Sequence, residues 1–218
     1  MGAAYDPRGG SAAEAIDPDG SPDPDTPHEE VAGEGSLYSR AALFDVLYSP
    51  DTALEVRGLE RIASRCGAAL QRGARIAGEP PLWLEVACGS GRYLRVLARR
   101  GYACAGFDLN ERMLEYARAR VTPKEHRAAT TRSSPARRGT APAADRLTLF
   151  RADMASFARP FLRACAGRRA DFAFTTHNTS RHLQSDRAML AHLDDMARCL
   201  RPGGLYAVGL GLAAYGAE

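Results

Sequence analysis

The stretch that most limits what this chain can become is Leu82-Trp83-Leu84-Glu85-Val86-Ala87-Cys88-Gly89-Ser90-Gly91. It opens as an apolar run and ends in a Gly-x-Gly turn. It then passes directly into Arg92-Tyr93-Leu94-Arg95-Val96-Leu97-Ala98, whose apolar spacing is helical. A buried strand that feeds a glycine turn and then a helix sets backbone N–H groups at the open end of a parallel sheet. Such a corner suits a ligand that carries a carboxylate or a phosphate. Glycine lets that ligand approach the main chain, because no Cβ stands in the way.

The chain on either side repeats the strand–helix theme. Ala103–Phe107 is a second strand with Asp108 at its end. Leu147–Arg151 is a third, followed by Asp153, and Asp171–Thr175 a fourth, followed by Thr176. Asn110 is placed to cap the helix after the second strand. Ser185 caps another, with Met189, Leu193, Met196 and Leu200 on one face. Pro202-Gly203-Gly204 stops that helix, and Leu205–Leu210 is a fifth strand. Ahead of the glycine corner, residues 37–48 form an apolar helical segment stopped by Pro50. Thr52-Ala53-Leu54-Glu55 is a capping box opening a helix with Leu59, Ile62, Ala63, Cys66 and Leu70 on one face. A loop follows at residues 73–81.

This alternation predicts an α/β fold: a Rossmann-like, doubly wound, mostly parallel sheet of five strands with helices on both faces. Right-handed crossovers leave all strand C-termini on one edge. Gly89, Asp108, Asp153 and Thr176 therefore share one crevice.

The 218 residues divide unevenly. Residues 1–35 carry nine carboxylates and one base, and are too rich in Asp, Pro and Gly to form a core, so a disordered acidic tail is expected. Residues 36–218 form the α/β domain. It is interrupted at 121–146 by a Pro-, Thr-, Ser- and Arg-rich insertion with six bases against two acids. The net charge of +3 thus conceals +11 outside the tail. That excess is scattered as single arginines, with Lys124 the lone lysine, so nucleic acid is not the expected partner. No apolar run approaches the roughly 20 residues of a membrane helix. The five cysteines form no C-x-x-C pair and are expected as small buried residues in a reducing cytoplasm, with no metal site.

Two ligand classes compete for the corner. A dinucleotide fold wants a third glycine where this chain has Leu94. By contrast, Glu85-x-x-x-Gly89-x-Gly91, then Asp108, Asp153 and Leu200-Arg201-Pro202-Gly203-Gly204, in this order, resembles the class I S-adenosylmethionine-dependent methyltransferases over about residues 82–210. The resemblance implies S-adenosyl-L-methionine as cofactor. Its carboxylate would meet N–H groups around Ala87, Cys88, Gly89, Ser90 and Gly91, and Glu85 would answer its ammonium. Asp108 would accept from both ribose hydroxyls, and Asp153 from the adenine amino group, with Leu109 and Met154 flanking the ring. Each residue also has a plainer role. Glu85 can cap a strand end, Asp108 and Asp153 can cap turns, and Cys88 is a packing residue rather than a nucleophile.

Methyl transfer from a sulfonium needs a nucleophile held in line about 3–3.5 Å away, and often a base. The loop Thr176-His177-Asn178-Thr179-Ser180-Arg181-His182-Leu183 resembles the family's segment facing the methyl group, so His177 and His182 are the candidate bases. Alternatively, His182 packs under the following helix. The segment 37–48 is expected to lie over the crevice as a lid, with Tyr38 or Tyr48 against the cofactor. Family members usually continue into two further strands where this chain stops. Either the sequence is truncated there, or a second copy or a partner chain covers the fifth strand's edge, or the fold ends early. The expected function is methyl transfer to a small molecule. A non-catalytic cofactor-binding protein and an NAD-dependent oxidoreductase are the alternatives.

Overall fold

A computed structural model describes residues 36–66, 80–121 and 146–210. The acidic tail, Leu70, most of the loop at 73–81 and all but the ends of the insertion lie outside the described residues. Among these residues five strands form one sheet: β1 (Leu82–Val86), β2 (Ala103–Asp108), β3 (Leu147–Arg151), β4 (Ala170–Thr175) and β5 (Leu200–Val208). Their order is β3-β2-β1-β4-β5, and every pairing is parallel. The chain winds outward from β1 to one side and then, from β4, to the other. Between β1 and β4 the connections diverge, which opens a crevice at the strands' C-terminal ends.

Among the described residues six helices cover the sheet: α1 (Ala41–Tyr48), α2 (Thr52–Cys66), α3 (Arg92–Arg100), α4 (Glu111–Val121), α5 (Ala158–Ala164) and α6 (Asp186–Cys199). Every residue of β1 is buried because both its faces are covered, and the one interruption of its apolar run is Glu85. Leu82, Leu84 and Val86 pack with Phe107, Phe157, Phe161 and Met196 on one side. Trp83 points the other way, with Val56, Leu59, Leu94, Leu97, Phe172 and Phe174. Ring centroids of Trp83 and Phe172 lie 4.4 Å apart, and those of Phe107 and Phe157 4.7 Å apart. No helix among the described residues is long and apolar enough to cross a membrane.

Several local expectations are corrected. The segment 37–48 is not one helix: a 3-10 turn, Leu37–Ser39, precedes α1, with Arg40 between them out of helical geometry. Thr52 and Glu55 make no capping box. Thr52 is already inside α2, and the N–H groups of Leu54 and Glu55 both donate to the Asp51 carbonyl. Their side chains are drawn off by Arg92, which donates to both. On α2, Ile62 and Cys66 face outward, whereas Val56, Leu59 and Ala63 are buried.

On α6 the buried stripe is Ala188, His192, Asp195, Met196 and Cys199, and Leu193 is exposed. The apolar period misplaced that face because two polar side chains have buried hydrogen-bond partners. Pro202-Gly203-Gly204 does not separate helix from strand. β5 already pairs at Leu200, and residues 201–204 form a bulge opposite Asp171, with Gly203 at φ 78°. The Asp171 carboxylate holds it, binding Arg201 at 2.5 Å and accepting the Leu82 N–H at 2.7 Å. Helix α5 has no expectation corresponding to it. Asn110 and Ser185 cap α4 and α6 as anticipated.

Candidate active site

The corner after β1 takes its shape from three left-handed residues: Ala87 at φ 50°, Gly89 at 50° and Gly91 at 68°. A Cβ built on Gly91 would stand 3.0 Å from that of Ala117, so α4 closes on the turn only because this residue is glycine. The Gly89 N–H donates to Asp108 Oδ2 at 2.8 Å, and the Asn110 N–H to Oδ1 at 2.9 Å. Asp108 therefore stitches the end of β2 to the glycine turn. Burial pushes its pKa up, against the opposing pull of those N–H groups and of His182. The Gly91 N–H is spent on the Cys88 carbonyl at 2.8 Å. Both glycine N–H groups are thus engaged within the turn.

Glu85 lies beneath this corner. It is buried, and its Oε2 has no hydrogen-bond partner. Burial raises its pKa well above the usual carboxylate range. Arg92 and Arg95 favour its charge, while Asp108 opposes it. The Cys88 thiol is also raised, by burial first and then by Glu85 and Asp108, which suits a packing residue and not a nucleophile. Leu109 follows Asp108, and its carbonyl accepts from Arg151 at 3.0 Å. After β3, Asp153 Oδ1 accepts the Ala155 N–H at 2.7 Å, and Met154 rests on the core.

Helix α1 covers the corner. The Phe44 ring lies 3.5 Å from where a Gly89 Cβ would stand. Behind it, the buried Asp45 carboxylate accepts from Ser90 Oγ at 2.8 Å, Ser49 Oγ at 3.1 Å and the Tyr116 hydroxyl at 3.1 Å. It also receives Arg95 Nη2 on both oxygens, at 2.7 and 2.9 Å. Tyr38 is exposed, its carbonyl held by Asn110 and its ring edge-on to His182 at 6.2 Å. His182 itself is exposed at the end of a 3-10 turn, Thr179–His182, and does not pack under α6.

His177 stands elsewhere. Thr176, His177, Tyr93 and, from α2, Glu55, Gly58, Leu59 and Ile62 line an open hollow of about 270 Å³. His177 and Asn178 are both left-handed, at φ 56° and 58°, a costly backbone for residues with a Cβ. His177 Nε2 meets Arg92 Nη2 and lies 3.0 Å from the Tyr93 hydroxyl. Glu55 holds Arg92 at 2.5 Å and stands 3.5 Å from the imidazole. Arginine can only donate, so Nε2 is the acceptor in that contact.

The family model for a methyltransferase domain matches residues 84–208, more than half of the chain. The chain belongs to the class I S-adenosylmethionine-dependent methyltransferases. No curated protein matches it. Among solved structures, DesVI of Streptomyces venezuelae aligns with a TM-score of 0.53 and 24% identity, over 78% of this chain and 56% of that one. The glycopeptide N-methyltransferase MtfA complexed with sinefungin aligns at 0.51 and 22%, over 77% of this chain and 56% of that one. The chain thus spans little more than half the length of these proteins, and they share its fold.

The cofactor of this family is S-adenosyl-L-methionine, and the residues of this methyltransferase domain fit it. A buried carboxylate oxygen without a partner, on Glu85, is costly unless a cation or donor meets it. The corner gathers Glu85, Ala87, Cys88, Gly89, Ser90, Gly91, Asp108 and Leu109 under α1, and Asp153 and Met154 follow the edge strand β3 beside β2. The two histidines are not brought together. His182 stands on the Asp108 side by Tyr38, and His177 in the hollow by α2. Asp45, Glu55, Arg92, Tyr93 and Arg95 were missed by sequence reasoning. Arg92 and Arg95 sit one turn apart at the start of a helix otherwise apolar on its inner face, which is the one available signal.

Proposed function

We propose that this methyltransferase domain carries a methyl group from S-adenosyl-L-methionine to a small-molecule acceptor seated in the hollow beside His177. The observation that carries the reading is the unpartnered Glu85 oxygen beneath a glycine corner that Asp108 braces. Glu85 offsets the cofactor's ammonium. The carboxylate lies at the first turn of α3, since first-turn N–H groups have no partner within their own helix and both glycine N–H groups are taken. Asp108 keeps lone pairs on both oxygens for the ribose diol, and Asp153 Oδ2 accepts from adenine. Leu109 and Met154 flank the ring, and Thr176 and Tyr38 border the site.

The sulfonium supplies the electrophile, so the chain's part is to align the acceptor, exclude water and take a proton. Helix α1 provides the cover. His177 is the base: when an acceptor displaces Arg92 from Nε2, Arg92 stays held by Glu55 and Thr52, and the lone pair faces the acceptor. His182 stands on the Asp108 side and favours the ionised form of that carboxylate. An NAD-dependent reading has less support. Leu94 fills the third glycine position and packs where a Cβ on Gly106 would stand, within 2.4 Å. The free thiols support a reducing cytoplasm as the place of action.

Calorimetric titration with S-adenosylhomocysteine and with NAD, followed by methyl-transfer assays over a small-molecule panel, tests this. Binding of the first compound but not the second, with transfer to at least one acceptor, is the expected result. Binding of NAD alone overturns it, and binding without any transfer shifts the chain to a non-catalytic role.

A further inference from the structure

Helix α6 spends two buried polar side chains on one segment, the loop 152–157 between β3 and α5 and the first residue of α5. His192 is 1% exposed. Its Nδ1 lies 2.8 Å from the Met154 carbonyl and its Nε2 2.9 Å from the Tyr206 hydroxyl. A carbonyl can only accept, so Nδ1 carries the proton and Nε2 accepts from Tyr206. One turn along, Asp195 Oδ2 accepts the N–H groups of Phe157 and Ala158, at 2.7 and 2.8 Å, and so caps a helix that has no side-chain cap of its own. The surrounding core is Phe157, Phe161 and Met196, where an apolar side chain would fill space without a polar group to satisfy.

We infer that His192 is a positioning residue for the adenine end of the cofactor site. Its hydrogen bond falls on Met154, the residue next to Asp153, and Asp195 fixes the chain one and two residues beyond the Asp153–Ser156 bridge. Asp153 is anchored through Oδ1 to Ala155, which leaves Oδ2 directed by wherever this loop is held. With Met154 pulled toward α6, the carboxylate and the Met154 side chain keep one geometry relative to β2 and β3. The inference rests on the proposal that Asp153 accepts from the adenine amino group.

The test compares S-adenosylhomocysteine with its hypoxanthine analogue, which carries a carbonyl in place of the amino group, by calorimetry on the full chain. Wild type should prefer the adenine compound. His192→Leu should weaken that compound about tenfold, the worth of one well-placed hydrogen bond, and leave the analogue's affinity nearly unchanged. His192→Asn keeps a donor at the Nδ1 position and should restore most of the preference. A leucine variant that retains the full preference, or that weakens both compounds equally, overturns the inference. A wild type without preference overturns instead the adenine role of Asp153, and the inference falls with it. If the leucine variant does not fold, Tyr206→Phe removes only the hydroxyl that holds the ring's other edge. A loss of about threefold confined to the adenine compound then supports positioning, and no loss overturns it.

Discussion

Asp45 offers the sharpest test of how the cover helix is held. Its carboxylate is the only negative charge among five polar contacts: Ser49, Ser90, Tyr116, and Arg95 twice. Asp45→Asn keeps the shape but removes the charge, and it turns a donor toward Arg95 or Tyr116, which are themselves donors there. Loss of one partner of a buried ion pair costs about 3–5 kcal/mol. The Arg95 side chain is 13% exposed and can reach water, so the lower end, about 3 kcal/mol, applies. The loss falls on the docking of α1 and not on the sheet. At 1.4 kcal/mol per tenfold, α1 should open about a hundredfold more often.

Hydrogen exchange reads this directly. Amides of residues 41–48 should lose about a hundredfold in protection while those of β1 and β4 keep theirs. Affinity for S-adenosylhomocysteine should fall in parallel. Unchanged exchange over α1, or an equal loss across the sheet, refutes the reasoning. Acid should mimic the substitution. Burial raises the Asp45 pKa, but Arg95, Ser90 and Ser49 outweigh it, so the net shift is downward. A carboxylate depressed in the folded state stabilises above its unfolded pKa of about 3.9 and loses that effect as pH falls through the folded value. Opening of α1 in wild type should therefore increase below about pH 4, and the asparagine variant should not respond.

Glu85→Gln should stabilise the ligand-free protein by about 1 kcal/mol at neutral pH and yet bind S-adenosylhomocysteine at least tenfold more weakly. The folded pKa is raised, so wild type loses stability as pH climbs above about 4.3, and thermal melts at pH 4 and pH 7 should show the gain only at the higher pH. Undiminished binding by the glutamine variant would remove Glu85 from the site. Gly91→Ala should cost about 1–2 kcal/mol in urea unfolding, because the residue is left-handed and its new Cβ meets Ala117. Gly58→Ala, in open space within α2, should instead stabilise by about 0.5–1 kcal/mol, and equal signs would refute the argument. His177→Ala should lower kcat about a hundredfold with cofactor affinity unchanged. A variant that keeps its rate is not missing the base.

The sheet was legible because burial on both faces writes itself as apolar runs. β1 was located at its start, β3 to the residue, and β2 and β4 to within one, whereas β5 begins five residues earlier than its apolar run. Gly89, Gly91 and Asp108 were legible for a related reason: a sharp turn and a carboxylate at a strand end have few substitutes. The face of α6 was not legible. His192 and Asp195 look like solvent-facing residues until their partners, a carbonyl and two N–H groups from a loop 37 or 38 positions earlier, are known. Thr52 and Glu55 failed in the same way, since a capping box is a local inference and Arg92 is 37 residues from Glu55 in sequence. Patterning registers what the solvent does to a side chain, and it has no term for a long-range polar partner.

That blind spot covers part of the proposed machinery. The aromatic and aliphatic core would support a five-stranded parallel sheet with many ligands or none. What distinguishes this crevice is a set of aspartates, each tying separate segments near the C-terminal ends of the strands. Asp108 joins β2 to the glycine turn, Asp45 joins α1 to α3 and α4, and Asp195 joins α6 to the loop before α5. A fourth, Asp171, makes the same kind of tie between β4, β5 and the start of β1, at the far edge of the sheet. The carboxylate suits this work because its two oxygens can each accept from a different segment without asking either to change its secondary structure. If position in the sheet decides the role, a lesion at Asp171 lowers stability and leaves ligand affinity alone, while lesions at the other three move affinity first.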